Sequence, residues 1–250
     1  FSFATPFLLA AILALANALL LLFSFSETVE KQHNKIHFNG GIYLIMSAFK
    51  MGHIRALSIS FVCLVIAWSL YFQSIGWLML KTYQYSAHQL GVFMGFMGVV
   101  SALSLTAGIR VVFRWLKLPS MVFAFCILLV VVANFLVAIM KGGIIVQWLL
   151  VVPNAFGAAV AYAVALAMFS NSVDARSQGM IMGITGCLTA VAWTLTALTT
   201  GFAGFVDIHL PYFVASLIAV ISFAFIIVVH YRTVPKLDTS ALSNSVGQEG

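Results

Sequence analysis

The chain has 250 residues, of which 63% are apolar and 7% are charged, with a mean hydropathy of +1.11. Soluble domains carry about 25% charged residues, so this composition excludes a water-soluble enzyme, a disordered chain and a nucleic-acid-binding domain. The net charge of +6 does not indicate a nucleic-acid partner, because basic residues in membrane proteins mark topology. We therefore predict an all-α polytopic membrane protein that has the lipid bilayer as a partner.

Seven apolar stretches are long enough to cross a bilayer, which takes about 20 helical residues. None of them contains Asp, Glu, Lys or Arg. Strands of a membrane barrel are about 10 residues long and alternate apolar with polar side chains, so the pattern favours helices. The seven predicted spans are 3–25, 56–79, 89–109, 119–140, 143–169, 179–201 and 211–231.

Residues that start or bend helices agree with these spans. Ser86 and Gln89 have the spacing of a capping box at the start of the third span. Pro119 and Pro211 fall in first turns, where the missing N–H is harmless. Pro153 lies inside the fifth span, and we expect it to bend that helix.

The basic residues divide unevenly between the two sides of the membrane. Alternate connections hold ten of the 12 Lys and Arg residues, and the other connections hold two. Because basic loops stay in the cytoplasm, we predict a cytoplasmic carboxyl terminus in a multi-pass protein of the inner (plasma) membrane. Segment 38–55 is too short to span, and we expect it to form an amphipathic helix at the cytoplasmic interface.

No residue pattern supports catalysis or metal binding. The three cysteines, Cys63, Cys126 and Cys187, lie in apolar runs without paired spacing, as is typical of small buried side chains. The six histidines show no metal-ligand spacing within a predicted helix, and no nucleotide-binding motif is present. We predict a protein that is not an enzyme and that has no cofactor and no metal.

Several short motifs occur in a familiar order. They include the end of the first span, an aromatic-rich turn before the third, and the loop that leads into the sixth. The motifs are Phe25-Ser26-Glu27-Thr28, Tyr83-Gln84-Tyr85-Ser86 with Leu90-Gly91, Pro153, Ser172-Val173-Asp174, Gln178-Gly179 and Gly183. With the loop charges, this order resembles the second half of a major facilitator superfamily transporter, closest to the tetracycline-resistance and drug:proton antiporter branch.

The resemblance implies that the seven spans correspond to helices six to twelve of that fold, and that helices one to five of the same protein are missing partners. It divides the chain into a last helix of the N-terminal half (1–25), a cytoplasmic inter-half loop (26–55), a six-helix bundle (56–231) and a cytoplasmic tail (232–250). The loop from Gly108 to Lys117 keeps its basic residues but lacks the acidic residue of the usual gating pattern.

The function implied by the resemblance is secondary active transport of a small molecule by alternating access. Proton-coupled efflux of a drug or metabolite is the form typical of the branch. Because no Asp, Glu, Lys or Arg lies within the spans and His230 is at the membrane boundary, a proton relay is not expected at their centre. The alternatives are a non-transporting scaffold or receptor and a degenerate half-transporter.

Candidate substrate-binding residues are polar or aromatic and fall near the middle of spans. Gln73 lies close to Trp68 and Tyr71, whose rings can stack on a flat or cationic ligand. The alternative for Gln73 is that its amide only ties two helices together.

Further candidates lie in the fifth and sixth spans. Asn154 follows Pro153, and Tyr162 lies eight residues further on, on roughly the same predicted face. Thr189 and Trp193 form an i, i+4 pair. The alternatives are satisfaction of the backbone freed by proline, for Asn154, and ordinary helix packing for the others.

Two other groups are expected to act through the backbone or the loops. Arg110, Arg114 and Lys117 are candidate gating residues, although they also serve as topology signals. Glycine stripes on the third and sixth spans are expected to allow close helix packing. The stripes consist of Gly91, Gly95 and Gly98, and of Gly179, Gly183 and Gly186.

Overall fold

The computed structural model describes residues 5–24, 46, 49–50, 52, 54–140, 143–174 and 177–246. Across these residues the chain forms helices and turns, with no strand. The helices are α1 (Thr5–Ser24), α2 (Arg55–Lys81), α3 (Ala87–Trp115), α4 (Pro119–Ile139), α5 (Ile144–Ser170), α6 (Gln178–Val206) and α7 (Leu210–Val246).

Six described helices, α2 to α7, are long and apolar enough to cross a membrane. The protein is therefore a helical, multi-pass membrane protein. The first predicted span falls on α1, whose apolar stretch Leu8–Ser24 is shorter than the other six, so a count of seven is not confirmed. α1 belongs to one compact unit (1–38), and α2 to α7 belong to a second (39–250).

Two helix starts predicted from the sequence are confirmed. Ser86 caps α3 as half of a capping box, in which its hydroxyl accepts from the N–H of Gln89 and its own N–H donates to the Gln89 side chain. Pro119 is the first residue of α4. Pro153 lies inside α5, and the helix continues through it to Ser170.

Some boundaries differ from the sequence prediction. α3 continues past 109 to Trp115 because Arg110 and Arg114 are compatible with a helix even though they end the apolar run. α7 extends beyond 231 to Val246, into the predicted tail. Most of the predicted interfacial helix at 38–55 lies outside the described residues.

Four helices form the centre of the bundle. α2 and α4 both pack along α7, and α4 packs along α5. α3 and α6 flank this centre: α3 contacts mainly α5, and α6 contacts mainly α2. Only Phe93, Met97, Ser104 and Val112 of α3 are buried, so α3 exposes most of its surface outside the bundle.

One end of the bundle is where α2 and α4 end and where α3, α5 and α7 begin, and we call it the Tyr83 end. The indole N–H of Trp148 donates to the Tyr85 hydroxyl there at 3.0 Å. His209 Nδ1 lies 3.2 Å from the carbonyl oxygen of Val137. These contacts connect the first turns of α5 and α7 to neighbouring segments.

Two glycines allow close helix contacts that the sequence analysis did not identify. A Cβ atom at Gly157 would lie 2.5 Å from the carbonyl oxygen of Cys126, so α4 and α5 approach too closely there for any larger residue. A Cβ at Gly108 would lie 2.5 Å from Cε2 of Phe156. Gly108 ends a five-residue π-helical segment of α3, Ser104–Gly108.

Candidate functional site

A cavity of about 560 Å³ lies between α2, α3, α5 and α6. Its walls consist of apolar and aromatic side chains with two hydroxyl-bearing aliphatic residues. The lining residues are Leu64, Val65, Trp68, Ser101, Leu105, Ala158, Ala159, Tyr162, Ala163, Leu166, Thr189 and Trp193.

The cavity lies near the middle of the helices that form it. Trp68 is midway between the two ends of α2, and Ser101 is midway along α3. Thr189 is close to the centre of the apolar part of α6, Gln178–Phe202. In a membrane-spanning bundle this depth corresponds to the middle of the bilayer, where transporters of several folds bind their substrates.

Aromatic rings give the cavity its chemical character. Trp68, Tyr162 and Trp193 all line it. Phe61 packs against Tyr162 with ring centroids 5.5 Å apart, and Phe72 contacts Trp193 at 5.6 Å and Trp68 at 6.0 Å. Because neighbouring rings hold these walls, the cavity presents fixed aromatic faces to a ligand.

The polar groups of the cavity contribute little hydrogen-bonding capacity. The Ser101 hydroxyl donates to the carbonyl of Met97 at 2.9 Å, and the Thr189 hydroxyl donates to the carbonyl of Thr185 at 2.8 Å. Among the residues that the structure describes, no Asp, Glu, Lys, Arg or His belongs to the lining. A ligand would therefore be held mainly by apolar contact, ring stacking and cation–π attraction.

Four of the seven predicted cavity residues line this cavity: Trp68, Tyr162, Thr189 and Trp193. The other three, Tyr71, Gln73 and Asn154, lie outside it. Gln73 lines a second, smaller cavity of about 50 Å³ instead. Tyr71 is fully buried, and its ring stacks on that of Trp68 with centroids 5.8 Å apart, so it contacts a lining residue without lining the larger cavity itself.

Gln73 joins two helices. Its side-chain N–H donates to the Ser69 hydroxyl at 2.7 Å and to the Thr196 hydroxyl on α6 at 2.8 Å. The Ser69 and Thr196 hydroxyls also lie 2.5 Å apart, and the Thr196 hydroxyl donates to the backbone of its own helix. These contacts favour the tying role that the sequence left as the alternative.

Asn154 and Tyr162 do not face the same space, contrary to the sequence expectation. Eight residues at about 100° each leave a rotation of about 80° between them. Asn154 is fully buried and accepts a hydrogen bond of 3.4 Å from Asn134 on α4. Tyr162 is 36% exposed and lines the cavity.

The three candidate gating residues remain at the surface. Arg110, Arg114 and Lys117 are all exposed. Their cationic groups form no ion pair with another residue in the part of the chain that the structure describes. A gating role for them stays a prediction.

The predicted glycine stripes face open space. No heavy atom of a neighbouring helix within the described ranges lies within 4 Å of a Cβ built at Gly91, Gly95 or Gly98. The same holds for Gly179, Gly183 and Gly186. The close packing seen inside the bundle uses Gly157 and Gly108 instead, so a packing role for the stripes stays a prediction.

Sequence reasoning missed the small residues that create the cavity. Ala158, Ala159 and Ala163 of α5 leave space opposite the two tryptophans. The available signal was the alanine-rich run that follows Pro153, in which no bulky side chain precedes Tyr162 apart from Phe156 and Val160. Ser101 and Leu105 were also missed, because nothing in the sequence orients α3.

Comparison with protein families, curated proteins and solved structures found no match to this chain.

Proposed function

We propose that this protein is a secondary active transporter of small apolar or cationic molecules that carry an aromatic ring. The observation that carries the proposal is the aromatic cavity at mid-helix depth. Its volume of about 560 Å³ falls within the roughly 300–1,000 Å³ typical of small-molecule sites. The absence of charged lining residues favours a substrate with little polar surface.

Alternating access supplies the mechanism in this proposal. Two features that commonly bend helices occur in helices that line the cavity: the π-helical segment of α3, which includes the lining residue Leu105, and Pro153 of α5. Such features often occur where helices bend at functional sites. On the resemblance of its motifs to the major facilitator superfamily, we propose that this bundle rocks against a partner bundle. We place the protein in the inner membrane, with its carboxyl end in the cytoplasm.

Coupling of transport to protons has less support from the described helices. None of the described helices α2 and α4 to α7 places an Asp, Glu, Lys or Arg at the depth of the cavity. A proton relay at this depth therefore needs groups that these helices do not supply. Antiport of a drug against protons is the form of transport that the resemblance suggests.

The test measures binding and flux on the same preparations. The purified protein is reconstituted in proteoliposomes, and gradient-driven movement of a lipophilic aromatic cation, ethidium, is followed by fluorescence. We expect flux, and we expect Trp193→Ala to reduce both binding and flux. Trp77→Ala is the matched control, since Trp77 is 45% exposed and does not line the cavity.

The outcomes separate the proposed classes of protein. Binding that is lost in Trp193→Ala, without gradient-dependent flux, would indicate a receptor or scaffold that keeps the cavity. An equal loss of ethidium binding in Trp77→Ala would mean that the dye binds at the membrane surface. The cavity would then not be the binding site.

A further inference from the structure

A buried polar centre lies beside the aromatic cavity, where Tyr71 stacks on the lining residue Trp68 with ring centroids 5.8 Å apart, but none of its residues lines the cavity. Five buried side-chain atoms around this centre have no hydrogen-bond partner among the described residues. They are Tyr71 OH, Asn134 Oδ1, Gln147 Oε1, Asn154 Nδ2 and Tyr212 OH. We call these five residues the amide–phenol cluster, and all of them are at most 1% exposed.

Contacts between these side chains place them together. The rings of Tyr71 and Tyr212 meet edge to face with centroids 5.9 Å apart. The Tyr71 hydroxyl lies close to the Asn154 side chain. The Asn134 amide N–H donates to Asn154 Oδ1 at 3.4 Å. The cluster therefore bridges α2, α4, α5 and α7, whereas the cavity lies between α2, α3, α5 and α6.

The cluster continues along one face of α5 toward the Tyr83 end. Gln147 and Asn154 are seven residues apart, which returns a helix to nearly the same face. The Gln147 amide N–H lies 3.4 Å from the Tyr83 hydroxyl. Asn154 is ten residues from Ile144, the first residue of α5, or about 15 Å at 1.5 Å per residue. The polar face thus reaches about half the depth of the hydrocarbon.

Leaving five such atoms without partners is unfavourable. A buried polar atom without a hydrogen bond costs about 1–3 kcal/mol, and lipid supplies no alternative partner. The set contains one amide donor, two amide acceptors and two hydroxyls that can act either way. No carboxylate is present among the five, so the cluster offers no counter-charge for a cation.

We propose that the amide–phenol cluster binds water and forms a hydrated column from the Tyr83 end to the depth of Asn154. Water suits a neutral site that needs donors and acceptors together. Each of the five atoms exposes less than 1 Å² in the packed bundle, so the side chains must move apart to admit water. A buried water makes about three hydrogen bonds, so the five atoms bind about two waters, and further waters complete the column. This inference does not depend on the transport proposal, because none of the five residues lines the cavity.

Radiolytic hydroxyl-radical labelling tests the column on the whole protein in lipid nanodiscs. Bound water next to a side chain produces radicals in place, so we expect Tyr71 and Tyr212 to be modified several-fold faster than Phe61 and Phe123. All four side chains are fully buried. Phe93 is the local control, since it is equally buried and belongs to the same apolar cluster as Tyr71 and Tyr212.

Equal modification of the tyrosines and the distant phenylalanines would overturn the proposal. Modification of Phe93 as fast as that of Tyr71 would also overturn it, because the labelling would then report opening of the Tyr83 end. Asn154→Leu provides the second measurement. It should reduce the modification of Tyr71 several-fold, while circular dichroism shows unchanged helix content. Unchanged Tyr71 modification in a folded Asn154→Leu protein would contradict the site.

Discussion

Ser60 on α2 and Ser222 on α7 each donate a hydrogen bond to the backbone of the other. The Ser60 hydroxyl donates to the carbonyl oxygen of Ser222 at 2.8 Å, and the Ser222 hydroxyl donates to that of Ser60 at 2.6 Å. Both residues are fully buried. The small side chains let the two backbones approach, and the reciprocal bonds fix the register of α2 against α7.

We expect Ser60→Ala and Ser222→Ala each to lower the free energy of unfolding by about 0.6 kcal/mol, the average for polar contacts between membrane helices. Each substitution leaves the other bond in place, because that bond ends on a backbone carbonyl. Because the two hydroxyls also lie 3.1 Å apart, the loss in the double variant should differ from the sum of the single losses. Unfolding in mixed detergent micelles measures all three variants.

Ser58→Ala is the matched control for this pair. The Ser58 hydroxyl is as deeply buried on the same helix but has no partner among the described residues. Its removal should leave stability unchanged or raise it slightly. A loss in Ser58→Ala equal to the loss in Ser60→Ala would show that the effect does not come from the reciprocal bonds.

Gln73→Leu should weaken the protein slightly and leave ligand binding unchanged. The substitution removes two hydrogen bonds to Ser69 and Thr196, but those hydroxyls remain bonded to each other. We expect a loss of about 1 kcal/mol, based on the modest strength of such bonds in membranes. Ethidium binding, measured by fluorescence, should match that of the unmodified protein, whereas Trp68→Ala should weaken it. Loss of ethidium binding in a stably folded Gln73→Leu protein would show that Gln73 belongs to the binding site.

Gly157→Ala should destabilise the contact between α4 and α5. The added Cβ would meet the backbone carbonyl of Cys126 at 2.5 Å and Cγ2 of Val130 at 3.0 Å. Because a backbone atom cannot rotate away, we expect a cost of about 1–3 kcal/mol, as for other overpacked cores. The thermal unfolding midpoint in detergent measures it. Gly183→Ala is the control, since a Cβ there meets nothing within 4 Å, and an equal drop in that variant would rule out the contact as the cause.

Ala163→Phe should fill the cavity and block binding without unfolding the protein. Ala163 is a half-buried lining residue, and the larger ring would occupy part of the open volume. Ala167→Phe, one turn further along α5, is the control because Ala167 is exposed and does not line the cavity. We expect ethidium binding to fall at least several-fold only in Ala163→Phe. Similar binding in both variants would place the ligand elsewhere.

The sequence predicts the six spans α2 to α7. Membrane-spanning helices are recognised from the composition of some 20 consecutive residues, which does not depend on tertiary contacts. The sequence also predicts the capping box at Ser86, which is local to one turn. The partners of Gln73 could not be predicted in the same way, because they depend on how α6 is rotated toward α2. Large rings such as Trp68 and Trp193 are easier to assign to a cavity, while the alanines that leave it open are visible in the sequence only as an alanine-rich run after Pro153.

Some residues that hold the bundle together are distinct from those that line its cavity, since Ser60, Ser222 and Gly157 are not lining residues. α3 contributes lining residues but buries few side chains of its own. Substitutions at positions such as Ser101 and Leu105 would alter the shape of the cavity at small cost to folding. Selection could in this way change ligand preference repeatedly while the same scaffold persists.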